Sequence, residues 1–173
     1  MNTKQYVYAI RIMSLITVVA LGVSVWALLF REEAAVIAPD YAPRVEESAA
    51  EPIPNEGLGM LDKPENGSAV SITYSDQVMV DLSEETAKLL FANPRRSHQD
   101  MLLQLVIHDV VILQSGRILP GNQVTNLQLL PKVAKRLSAG GYDGVFVISY
   151  YDPASGEKAL VNTEIPVSVT ITP

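Results

Sequence analysis

The chain has 173 residues, 48% hydrophobic and 18% charged, with no cysteine and a formal net charge of −6. That length accommodates one small domain with appendages. Lack of cysteine excludes a disulfide scaffold, thiolate zinc sites, iron–sulfur clusters, a cysteine nucleophile and a lipid-modified amino-terminal cysteine, and the acidic balance argues against nucleic acid as a partner.

Residues 12–30 run IMSLITVVALGVSVWALLF without a charge, a helix of roughly 28 Å and enough for one crossing of the hydrocarbon layer. Lys4 and Arg11 precede the run, whereas Arg31 is followed at once by Glu32 and Glu33. The positive-inside rule therefore places residues 1–11 in the cytoplasm and the remainder outside, anchored in the lipid bilayer through residues 12–30. Tyr6, Tyr8 and Trp26 stand near the two ends of the run, at headgroup level. The competing reading is a cleaved signal peptide with its site in Val25-Trp26-Ala27, but the apolar run is longer than a signal core and continues through Leu28, Leu29 and Phe30.

Residues 31–65 read as a linker. Within 32–65 stand nine acids, two bases and five prolines, a composition that buries too little apolar surface to order itself. Its reach lies between about 30 Å as a coil and roughly 110 Å when stretched, so it is expected to be a disordered acidic spacer; an acidic docking tail for a cationic partner is the alternative. The charge splits as +3 over 1–31, −7 over 32–65 and −2 over 66–173. The carboxy-terminal part is thus nearly neutral, with no polyanion groove indicated.

Residues 66–173 alternate short runs of valine, isoleucine, threonine and tyrosine with glycine, proline, asparagine and aspartate, the pattern of many short strands. The runs are 69–74, 78–82, 86–92, 101–108, 110–114, 123–129, 142–151 and 159–172, the first two sharing one strand role. For 86–92 a helix is the competitor, because Ser83 followed by Glu84 and Glu85 also reads as a helix start. A helical turn is expected over 131–137. Alternation puts Val145, Val147, Ser149 and Tyr151 on one face and Phe146, Ile148 and Tyr150 on the other. It also puts Ile165, Val167, Val169 and Ile171 opposite Pro166, Ser168, Thr170 and Thr172, a sheet with one wet side. Pro166 lacks a donor, which predicts an edge or a bulge there.

Leu137-Ser138-Ala139-Gly140-Gly141-Tyr142-Asp143 resembles the tyrosine corner of immunoglobulin-like sandwiches, with Leu137, Gly140 and Tyr142 in the structural roles. Leu119-Pro120-Gly121-Asn122 resembles the turn that precedes a strand in bacterial extracytoplasmic domains of that fold, and Asp152–Glu157 supplies a hairpin between the last two strands. The resemblance implies an all-β immunoglobulin-like sandwich of about seven antiparallel strands over residues 66–173. Neither a cysteine pair nor a tryptophan lies in this part, a poor match to antibody-type domains. The whole plan resembles small uncharacterised single-pass surface proteins of Gram-positive bacteria.

Chemistry is sparsely represented. His98 and His108 are the only histidines and read as a loop and a strand end. No G-x-S-x-G elbow and no HExxH or paired-histidine spacing occurs. Glu84 with Glu85 and Asp152 with Glu157 are the visible carboxylate pairs, better explained by turns than by acid–base work. Asp152, Ser155 and Glu157 offer too few oxygens for a good calcium site, and Asn66-Gly67-Ser68 is a short sequon match. No catalytic residue, cofactor or metal site is therefore expected. For a partner, the most available groups are Arg95, Arg96 and His98 in a hairpin loop, then Lys132, Lys135 and Arg136, then Tyr150 or Tyr151 and unpaired sheet edges. The expected function is a membrane-anchored extracytoplasmic module that binds an envelope protein or cell-wall component, or forms an accessory part of an envelope assembly. An inhibitor or regulator of a surface enzyme acting through loop 94–100 is the alternative, and self-assembly a further option.

Overall fold

The computed structural model describes residues 13, 14, 16–21, 37–57, 59–65 and 67–173, which fall in two units, 1–35 and 36–173. In the first unit the described residues are helical, and Met13, Ile16, Val18, Val19 and Leu21 expose their apolar side chains. The cytoplasmic start and the rest of the expected 12–30 crossing lie outside the described residues. Among the described residues no helix is long and apolar enough to cross a membrane.

The second unit is all-β. Its strands are β1 (Glu51–Pro52), β2 (Thr73–Tyr74), β3 (Gln77–Asp81), β4 (Thr86–Asn93), β5 (Asp100–Ile107), β6 (Val110–Gln114), β7 (Asn122–Gln128), β8 (Gly140–Tyr151) and β9 (Lys158–Thr172). They form one mixed sheet in the order β1-β7-β4-β3-β9-β8-β5-β6, with β2 also on β4. The sheet curls until its ends meet: Leu113 bridges Leu129, and the Leu130 N–H donates to the Ile112 carbonyl at 2.9 Å. Inside the curl lie Val78 and Val80 of β3, Leu89 and Phe91 of β4, Leu103 and Leu105 of β5, Phe146 and Ile148 of β8, and Val167 and Val169 of β9. Each pair obeys the two-residue period that sends alternate side chains to one face.

Three expectations change. First, the sheet is not wholly antiparallel: β3 lies parallel to β9, with Val78 opposite Val169 and Val80 opposite Ile171. A period of two assigns faces and leaves strand direction open. Secondly, the first expected run shrinks to Thr73–Tyr74, which pairs with Ala92 and Phe91 before the chain kinks at Ser75–Asp76 and continues as β3. The strand expected over 86–92 stands as β4, and the competing helix start at Ser83–Glu85 is a turn: Asp81 Oδ1 accepts from the Ser83 hydroxyl at 2.7 Å, the Ser83 N–H at 2.9 Å and the Glu84 N–H at 3.1 Å. Those bonds hold the Asp81 carboxyl below its ordinary value, the Ser83 hydroxyl contributing most.

The third change concerns the linker. From Ile37 to Gly57 the chain is no disordered spacer but a strap laid along the domain. Ala38 is buried against Leu102 and Tyr151. The Ala42 N–H donates to Gly156 and the Lys158 N–H to Asp40. Glu47 and Arg117 are joined through the Glu47 N–H and the Arg117 carbonyl, and the Ile53 N–H reaches the Gly121 carbonyl, both at 2.9 Å. β1 pairs with the end of β7, Glu51 opposite Gln123. Composition counted these residues as solvated, but the domain supplies backbone partners for them. Pro52 is compatible with β1 because that strand is an edge.

The strap also settles the two tyrosines at the end of β8. Tyr150 points into the main core and Tyr151 to the outer face, as alternation requires, yet both are buried because the strap covers the outer one. Pro166 sits beside an opening. The Ser168 N–H donates to the Asp76 carbonyl, so backbone groups of even-numbered β9 residues from 162 point away from β8. β3 joins β9 only from Ser168 onward. The missing donor of Pro166 therefore falls on the unpaired side of β9, where it costs no ladder bond.

Candidate recognition site at the 94–100 loop

β4 ends at Asn93 and β5 begins at Asp100, and the loop between them carries the three expected partner-binding residues. Asn93 is fully buried, its Nδ2 donating to the carbonyls of Gln99 at 2.9 Å and Ile118 at 3.0 Å, which closes the base of the loop. The Ser97 N–H donates to Pro94 within the loop. Arg95 and Arg96 at the tip are exposed, while Pro94 and Ser97 on either side are buried.

The expected hairpin loop is present, and other parts of the chain hold it. Glu56, Leu61, Ala69 and Ser71 are tied to it. The Arg95 N–H donates to Glu56 Oε1 at 2.7 Å, and Arg96 Nε donates to Ser71 Oγ at 3.0 Å. The Ser97 hydroxyl donates to the Ser71 carbonyl at 3.0 Å and accepts from the Ser71 N–H at 2.9 Å. His98 is half-buried; its Nε2 lies 2.8 Å from the Leu61 carbonyl, which only accepts, so the ring nitrogen is the donor. The His98 N–H binds the Ala69 carbonyl at 3.0 Å. His98 is thus a clamp for the loop, and the two arginines are the groups left at its surface. Glu56 and Ser71 were missed because an acid and a serine in a polar stretch carry no pattern of their own.

The other candidates are dispersed. His108 and Asp109 form the β5–β6 turn with φ of 48° and 63°, the left-handed pair of a two-residue hairpin. The His108 ring meets Tyr142 edge-on at 5.8 Å, at the far end of β5 from the loop that holds His98. Lys132, Lys135 and Arg136 lie on and beside a short 3-10 turn, Ala134–Arg136. Asp152 Oδ1 accepts from the Ser155 and Ala154 N–H groups at 2.8 and 2.9 Å, which lower its carboxyl, Ser155 contributing most. Among the described residues no group of three or more His, Cys, Asp or Glu could hold a metal ion.

At the corner the Tyr142 hydroxyl donates to the Ser138 carbonyl at 3.0 Å, with Leu137 and Tyr142 packed against the core. Gly140 has a φ of 151°, a backbone that favours glycine. Tyr142→Phe should lower the unfolding free energy by about 1 kcal/mol, measured by denaturant titration. No loss would mean that this hydroxyl gains nothing over water.

Below the loop, Asp100 is buried beside Arg117, its Oδ2 3.7 Å from Arg117 Nε, and Glu46 of the strap reaches Arg117 Nη2 at 3.4 Å. Burial pushes the Asp100 carboxyl above its ordinary value; Arg117 pulls it back, while Glu46 and Asp152 add to the rise. A raised folded-state value favours the protonated form. That contribution is fully present below the unfolded value, about 3.9, and is lost as pH rises through the folded one. Asp100→Asn should therefore compare better with the parent at pH 7 than at pH 3 in paired thermal melts. An equal or worse comparison at pH 7 would contradict the assignment.

No family model matches the chain, and no curated protein matches it. Among solved structures it is similar to the major subunit of aggregative adherence fimbriae type I from Escherichia coli, with 11% identity over 65% of this chain and 100% of that one at a TM-score of 0.30. The CooA pilin subunit from enterotoxigenic Escherichia coli gives 13% identity over 60% and 99%, at a TM-score of 0.29. Superpositions this loose define neither a fold family nor a role for the chain.

Proposed function

We propose that the chain is a membrane-tethered, extracytoplasmic module of immunoglobulin-like sandwich type that binds an envelope partner and catalyses nothing. The carrying observation is the preorganised loop: two arginines exposed at a tip whose backbone and flanking side chains are pinned by Glu56, Ser71, Leu61 and Ala69. A loop fixed at its backbone, with the Arg96 guanidinium held through Nε, binds with little loss of side-chain and loop entropy, which is the ordinary limit on affinity at a flexible tip. The sandwich reading is supported by β3, which lies between β4 and β9 and pairs antiparallel with the first and parallel with the second, and by the tyrosine at the foot of β8. The tether is supported by the uncharged run 12–30 and the charge asymmetry around it.

A photo-crosslinking residue placed at position 95 of the full chain in intact cells, with a second placed at the remote turn position 84, tests this. A discrete envelope adduct at 95, absent at 84 and reduced by Arg96→Ala, is the expected result. Equal, diffuse labelling at both positions would remove the loop as a binding element. An adduct with an enzyme whose activity falls on binding would convert the reading to that of an inhibitor.

A further inference from the structure

An open cleft of about 420 Å³ lies between the strap and the 94–100 loop. Its floor is one row across three strands: Thr73 of β2 opposite Ala92 of β4, and Ala92 opposite Gln123 of β7. One wall is the strap from Ile53 through Glu56 and Gly57, and the other is Pro94 and Arg96. The two charged lining groups are opposite in sign, and among the described residues no ion pair joins them. Each is instead fixed by one end. Arg96 spends Nε on Ser71 Oγ, which leaves both terminal nitrogens of its fork for a ligand. Glu56 spends Oε1 on the Arg95 N–H, which leaves Oε2.

We propose that this cleft binds a dipeptide-sized zwitterion, its carboxylate on the Arg96 fork and its ammonium on Glu56. A carboxylate matches the two terminal nitrogens of a guanidinium in a bidentate pair, and an ammonium matches a carboxylate oxygen. The volume falls within the ordinary range of small-ligand sites, roughly 300–1,000 Å³. Thr73 supplies a hydroxyl and Gln123 a carboxamide on the floor for the central amide, and Ile53 and Pro94 give apolar wall for an aliphatic side chain. The strap is an integral part of the site, since Ile53, Glu56 and Gly57 all come from it. Two fixed opposite charges select against ligands bearing a single charge, because such a ligand leaves one of them unpaired in a partly desolvated cleft.

The test uses the full chain, isotope-labelled and detergent-solubilised, titrated with alanyl-leucine, its N-acetyl form and its carboxyamide, and followed by amide chemical shifts. The expected result is saturable shifts at Ile53, Thr73 and Arg96 with alanyl-leucine, and about tenfold or greater weakening on either acetylation or amidation. Arg96→Gln should remove the sensitivity to amidation, and Glu56→Gln the sensitivity to acetylation. The second variant keeps an oxygen for the Arg95 amide, so the loop stays closed. No saturable shift at about 10 mM ligand, the regime weaker than millimolar affinity, would overturn the proposal, as would weakening by one modification alone. Dipeptide silence with an intact position-95 adduct removes only the cleft; dipeptide binding without an adduct removes only the envelope-partner reading.

Discussion

Replacing Phe146 with alanine should lower the unfolding free energy of the domain by about 3–5 kcal/mol. Phe146 on β8 is fully buried and meets Phe91 on β4 edge to face, ring centroids 6.4 Å apart and planes at 73°. The two strands belong to opposite halves of the curled sheet, separated along its order by β3 and β9. This ring pair therefore holds the halves together across the core, and alanine would leave a cavity that neither half closes without unpairing strands. Phe91→Ala should cost a similar amount. The double variant should lose less than the two single losses together, by about 0.5–1.5 kcal/mol, the usual coupling of an aromatic pair. Denaturant titrations of the four proteins measure it. Strict additivity would mean that the rings merely fill volume and have no specific edge-to-face attraction.

Phe91 also lies two residues before Asn93, whose side chain closes the base of the recognition loop. Phe91 and the base of the loop consequently belong to one strand, β4, and a loop on such a base keeps Arg95 and Arg96 in register with Glu56 and Ser71.

The strands were legible wherever a run of two-residue alternation was long. Phe146, Ile148 and Tyr150, and Val167, Val169 and Ile171, fall on the faces that alternation assigns, because inward burial is what selects apolar residues at that spacing. The parallel neighbour of β9 was not legible, since backbone direction leaves no mark on side-chain chemistry. The strap was misread for a different reason. Glu46, Glu47 and Glu56 look solvated in a count of charges, yet Glu47 accepts the Gly116 N–H at 2.6 Å and Glu56 accepts the Arg95 N–H at 2.7 Å. A carboxylate bonded to a backbone amide has the same composition as one in water, and only the fold distinguishes them. The arginine tip was visible because Arg95 and Arg96 follow Asn93-Pro94 between two apolar runs, a loop signal that puts them at the surface. Its clamp by Leu61, Ala69 and Ser71 was not, as those partners lie 25 to 37 residues away.

Tyr151→Ala should cost about 3–5 kcal/mol and free one end of the strap while leaving the other in place. The Tyr151 ring is fully buried against Leu102 and Ala38, and its hydroxyl donates to the Pro39 carbonyl at 2.9 Å. Tyr151→Phe keeps the ring and loses only that bond, so it should cost about 1 kcal/mol. Further along, Gly116 lets the strap come close: an added Cβ would stand 3.0 Å from the Glu47 backbone. Gly116→Ala should therefore push out residues 45–49, where Glu47 grips the Gly116 amide, and spare residues 38–42. Amide hydrogen exchange separates the two ends. Tyr151→Ala should deprotect Ala42 and Lys158, which bond Gly156 and Asp40, and leave Ile53 on Gly121 protected; Gly116→Ala should deprotect Glu47 first. Uniform loss of protection from Ala42 to Ile53 in either variant would show instead that the strap leaves as one cooperative unit. In that case the cleft walled by Ile53 and Glu56 would open with it, and any force or substitution acting near Ala38 would reach the recognition loop.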